Sequence, residues 1–108
     1  MSEAKFPPWY AFIKEHHGNF IDSLEKLGEV VRQEGPLDDK TSHLVQLAAA
    51  AAIRSEGSVH SHVRRALAAG ASAEEIYHTL ILLTSTIGFP NTSAALSWAY
   101  DVLGTKTD

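Results

Sequence analysis

An all-α fold is what this sequence predicts, and three observations carry the prediction. Apolar residues recur three and four positions apart along most of the chain, the spacing that lines one face of a helix. Glycine and proline punctuate that pattern at Gly35-Pro36 and Gly88-Phe89-Pro90. No segment alternates apolar and polar residues as a half-buried strand would.

The elements follow in order. Pro7 and Pro8 suit a helix start, because a proline in the first turn removes no hydrogen bond. The first helical region covers about residues 8–34, with a break expected at His17-Gly18-Asn19. Its second half places Phe20, Leu24, Leu27 and Val31 on one face, and Gly35-Pro36 ends it. The second helix begins near Asp38 or Asp39, either of which can accept from free backbone donors. It turns Leu44, Val45, Leu47, Ala48 and Ala51 toward the core, and its alanines let another helix approach closely. A loop at Ser55-Glu56-Gly57 precedes a third helix over about residues 58–69, with Val59, Val63, Ala66 and Leu67 in one stripe and Gly70 as its stop. Ser72 and Glu75 have the spacing of a capping box. The helix behind them reads IYHTLILLTSTI, apolar nearly all round, which predicts burial on more than one side. A last helix, over about residues 91–103, offers Ala94, Ala95, Trp98 and Val102 for packing. Short connections make the helices antiparallel neighbours.

Composition narrows the function classes. The 108 residues are enough for one domain, read here as residues 1–108. With 44% hydrophobic and 20% charged residues the chain matches a globular protein rather than a disordered one. A net charge of −4 with no basic stripe argues against a nucleic-acid partner. Cysteine is absent, which excludes disulfides, thiolate metal sites and thiol catalysis. No apolar run is long enough for a bilayer, and the first ten residues contain no signal-peptide core, so the expected location is cytoplasmic with no membrane partner. A domain this small with one all-round apolar helix has more apolar surface than a single subunit covers, which points to an oligomer; a compact monomer with that helix at its centre is the alternative.

Histidine is where chemistry could reside. Ser58 and His62 lie at i and i+4 on the third helix, so they share a face, and Ser55 lies further back along it. His62 also sits beside Val59, Val63 and Ala66, which makes it half-buried. Such an imidazole can serve as a general acid or base with a hydroxyl to orient it. It can equally be a core histidine satisfied by a backbone carbonyl or a hydroxyl. His43, on the edge of the second helix's stripe, and His78, within the apolar fourth helix, could converge on it. Three imidazoles could hold a metal, but no ligand-spacing motif supports one, and His60 and His62 diverge by about 200° around their helix. The expectation is therefore no metal and no cofactor. His60, Arg64 and Arg65 read as a solvated face, and His16 and His17 as surface.

Several segments together resemble a known family. They are Leu37-Asp38-Asp39-Lys40-Thr41, Leu44-Val45-x-Leu47-Ala48, His62-Val63-Arg64-x-Ala66-Leu67-x-x-Gly70, Glu75-Ile76, and Gly88-Phe89-Pro90 with Ala94-Ala95. They resemble the carboxymuconolactone decarboxylase family, which includes the alkylhydroperoxidase D-like proteins. The resemblance implies an alkylhydroperoxidase D-like bundle of about five or six helices that assembles into homo-trimers or hexamers. It also implies a site beside His62, with Ser58 and His43 as its catalytic companions and Ser55 and His78 available to a small-molecule ligand.

The departures from the family pattern matter as much. The peroxidase branch carries CxxC and then a histidine four residues later; here those positions are Ser55, Ser58 and His62. Serine can form no disulfide, so the resemblance does not extend to thiol peroxidase activity. That branch has a glutamate where this chain has His43. The decarboxylase branch carries a glutamate near Ser58 and an arginine near Ser42, and neither is present. The resemblance therefore implies a lyase acting on a small organic acid or lactone, with His62 in proton transfer, or else a non-catalytic member that binds a small molecule or a partner.

Overall fold

A computed structural model describes residues 7–104. They form seven helical segments and, among the described residues, no strand: α1 Pro8–His16, α2 Gly18–Gln33, α3 Asp39–Ala52, α4 Glu56–Ala68, α5 Ala73–Ile81, α6 Thr84–Ile87 and α7 Phe89–Leu103. The chain divides into two compact units, Met1–Leu37 and Asp38–Asp108.

The first unit contains α1 and α2, with Pro8 at the start of α1 as expected. The expected break falls on His17 alone, whose extended φ of −136° interrupts the helical path. One ion pair ties the two helices: Lys14 Nζ lies 3.0 Å from Glu25 Oε2, and the Tyr10 hydroxyl donates to the same carboxylate at 3.1 Å. The carboxylate's hydrogen bond raises the Lys14 pKa above its ordinary value. The α2 stripe proves exposed at Phe20, Leu24, Leu27 and Val31, and only Ile21 of that helix is buried.

The second unit is built from α3 to α7 around a single core. Leu47, Ala50 and Ala51 come from α3, Val59, Val63 and Ala66 from α4, Ile76 and Leu80 from α5, and Ala95, Ala99 and Leu103 from α7. Alanine supplies five of these eleven positions, so the helix backbones can approach closely and leave little void. Local signals set the helix ends. Asp38 accepts from the Thr41 amide at 2.8 Å, and that bond holds its carboxyl below the usual range. Ser72 and Glu75 close a reciprocal capping box at 3.0 and 2.9 Å. The Ser72 amide, followed by the Lys40 ammonium, lowers the Glu75 pKa; Lys40 thereby links α3 to α5 at 3.1 Å. Gly70 takes a φ of +102°, a left-handed conformation that suits glycine after a helix end.

Three expectations need correction. The fourth predicted helix is not continuous, and within one chain it is not buried on more than one side. It breaks at residues 82–83 between α5 and α6, and Ile81 and Leu82 are exposed, because only one side of α5 packs against α3 and α7. Val45 is also exposed, lying off the face that carries Leu47 and Ala51. The loop before α4 falls at residues 53–55, so Glu56 and Gly57 are already helical. No helix among the described residues is long and apolar enough to cross a membrane.

Candidate proton-transfer site

The site begins with the turn into α4. Arg54 takes a φ of +58°, unusual for a side chain with a Cβ. It donates to Asn91 Oδ1 at 2.6 Å, and its guanidinium stands 5.9 Å from the centre of the Trp98 ring. These contacts on α7 hold the turn that aims α4. Ser55 follows as the N-cap, and its hydroxyl accepts from the Ser58 amide at 3.3 Å. Ser55 is thus a capping residue outside the helix rather than one turn further along it. Ser58 is partly buried in the first turn, and His62 lies one turn on, also partly buried.

The structure brings His62 against His43. The two Nδ1 atoms lie 3.4 Å apart, the ring centres 5.6 Å apart, and the ring planes are inclined by 40°. His43 is buried on α3, so it forms the inner member of the pair and His62 the outer. Helical periodicity explains the aim of each ring. His43 stands one turn before Leu47, a core residue with no exposed surface, and His62 immediately precedes Val63, another.

His78 does not join them. It lies exposed on α5, away from the His43–His62 contact. The expected three-way convergence reduces to a pair. Sequence reasoning missed two further residues. Gln46, three positions after His43 and therefore on a neighbouring part of the same helix face, has its Oε1 buried with no hydrogen-bond partner among the described residues. His60, read as a solvated residue, is directed at α7, where Nε2 lies 3.1 Å from Asp101 Oδ2. Its divergence from His62 is what a step of two helical residues requires. An open depression lined by Asn19, Asp22, Leu27 and Val30 belongs to α2 and contains none of the histidines.

An imidazole pair has a defined proton chemistry. A neutral imidazole has one N–H and one bare nitrogen, so two facing Nδ1 atoms are matched when one carries the hydrogen and the other accepts. The ring that donates from Nδ1 then has a bare Nε2, able to act as a base. The ring that accepts has an Nε2–H, able to act as an acid. The roles exchange when the first ring takes up a proton at Nε2, the shared proton crosses, and the second ring gives up its own Nε2 proton.

A family match agrees with the helical architecture. The family model described as carboxymuconolactone decarboxylase matches residues 19–101. This chain belongs to the carboxymuconolactone decarboxylase family. No curated protein and no solved structure matched it. The carboxymuconolactone decarboxylase match begins within α2 and extends into α7, so it takes in both histidines of the pair and both serines of the Ser55-x-x-Ser58 segment. With no cysteine anywhere in the sequence, the family's thiol peroxidase chemistry is closed to this member.

Proposed function

We propose that this carboxymuconolactone decarboxylase family member is a small lyase acting on an organic acid or lactone, with His62 as its proton-transfer residue. The observation behind the reading is the 3.4 Å approach of the His43 and His62 Nδ1 atoms. Breaking a carbon–carboxylate bond leaves an electron pair on carbon, and that carbon must be given a proton. His62, the outer ring, presents Nε2 for that transfer. His43, the inner ring, accepts or returns the proton shared between the Nδ1 atoms. His62 can therefore take a proton at Nε2 as a base and, after the shared proton moves inward, be left as a neutral Nε2–H donor, with His43 holding the positive charge as an imidazolium until the proton returns. His43 stands where the resemblance to the peroxidase branch implies a glutamate. The buried Gln46 Oε1 supports a polar ligand nearby, because a buried acceptor without a partner costs free energy that a substrate hydroxyl or protonated carboxyl would offset. Ser58, on the His62 face, is the orienting hydroxyl.

Assembly into a homo-oligomer, a trimer or hexamer, is part of the same proposal. Ile53, Ile81, Leu82, Phe89 and Tyr100 are large apolar side chains exposed on the second unit, and a second copy would cover them.

The test is decarboxylation of carboxylated lactones and related small acids, followed by carbon dioxide release. His62→Ala should abolish turnover and His43→Gln should reduce kcat, with both variants keeping the helical circular dichroism and the oligomer mass of the parent. Full turnover by His62→Ala would overturn the reading.

A further inference from the structure

A second side-chain cluster lies on the other side of α4, separate from the imidazole pair. Glu56 and His60 are at i and i+4, so both project toward the same neighbour, and Asp101 meets them from α7. His60 Nε2 lies 3.1 Å from Asp101 Oδ2 and 3.9 Å from Glu56 Oε2, and one ligand atom from each of the three lies within 4.8 Å of the others. We propose that Glu56, His60 and Asp101 form a binding site for a divalent metal ion of the zinc class, clamping α4 to α7.

Three arguments converge on a cation. The first is proton counting. A neutral His60 has at most one Nε2–H, which can serve one carboxylate oxygen well, yet oxygens from two carboxylates approach that nitrogen. A divalent ion satisfies both carboxylates and the nitrogen lone pair together, and its two positive charges match the two negative ones. The second is distance. Tetrahedral ligands at about 2.0–2.1 Å from zinc lie about 3.3–3.4 Å from one another. The Asp101 pair is already at 3.1 Å, and the Glu56 pair at 3.9 Å closes with a small rotation of an exposed glutamate. The third is ligand chemistry. One imidazole and two carboxylates form a mixed nitrogen and oxygen set suited to zinc, cobalt or nickel, whereas calcium and magnesium take oxygen ligands. Three protein ligands leave at least one coordination position for water. His60 is the central ligand, since its side chain is only 25% exposed while both carboxylates are over half exposed.

The experiment uses the full chain, stripped with a chelator and titrated with zinc chloride and, separately, cobalt chloride. The expected result is one equivalent bound, a melting temperature that rises with zinc, and a visible cobalt absorption band. His60→Gln and Asp101→Asn should each weaken zinc binding at least about tenfold, a loss that even residues outside the first coordination sphere produce. His62→Gln should leave zinc binding unchanged. If His60→Gln proves unstable, Asp101→Asn decides, because its side chain is exposed and outside the core. The proposal is overturned if zinc does not bind, if Asp101→Asn binds like the parent, or if His62→Gln alone abolishes binding, which would place the ion at the imidazole pair.

Discussion

If His43 and His62 act as one hydrogen-bonded unit, replacing both must cost less than the sum of replacing each. The perturbation is a double-mutant cycle with His43→Leu, His62→Leu and the double variant. Leucine roughly conserves volume, so the cavity term stays small. A net hydrogen bond between neutral groups contributes about 0.5–1.5 kcal/mol. The 3.4 Å separation is longer than the usual optimum of about 3 Å, and His62 is partly exposed, so the coupling falls in the lower half, about 0.5–1 kcal/mol. Each single replacement leaves the other imidazole facing a hydrocarbon at this contact, and the double variant removes that mismatch, so this figure is a lower bound on the coupling. The assay is urea unfolding followed by circular dichroism at about pH 8, above the ordinary imidazole range. Additivity within about 0.3 kcal/mol would refute the coupling, and with it the shared proton on which the proposed mechanism depends.

Three further outcomes follow from the same contacts. Leu47→Ala, one turn below His43 and with no exposed surface, should lose about 2–5 kcal/mol in urea unfolding; a loss below about 1 kcal/mol would mean the core is not packed as described. Ser72→Ala removes the side-chain half of the α5 capping box and should lower stability by about 1 kcal/mol, with Ser72→Thr retaining most of it. Asp38 and Glu75 have folded pKa values lowered by the Thr41 and Ser72 amides, so their contribution is full above the unfolded carboxylate range and is lost as pH falls through the lower folded values. The melting temperature should therefore drop on acidification, less steeply in Asp38→Asn/Glu75→Gln, and an unchanged acid slope would count against both caps.

The structural signals that could be read in advance are the local ones. Asp38, Ser72 with Glu75, Gly70 and the His17 break act within a few residues, and each lies among the positions the sequence offered for it. The start of α4 was misplaced because Gly57 reads as a loop residue, whereas the turn is made by Arg54, held in a left-handed conformation through Asn91 and Trp98. Partners 37 and 44 positions away leave no mark on the local pattern. The apolar run from Ile76 to Ile87 misled in a related way. Periodicity reports how much of a helix is apolar, but not how many of its sides have neighbours.

The sequence by itself determined the all-α class, the caps, the exclusion of thiol chemistry and the placing of His62 beside the apolar stripe of its helix. Those follow from residue type and spacing along a helix. Tertiary structure alone decided which of six histidines meet. It brought His43 to His62 across 19 positions, left His78 outside, and turned His60 toward Asp101 across 41. The reason is geometric: a helix fixes the direction of a side chain about its own axis, but only the packing of α3, α4 and α7 around their shared alanines fixes what stands in that direction.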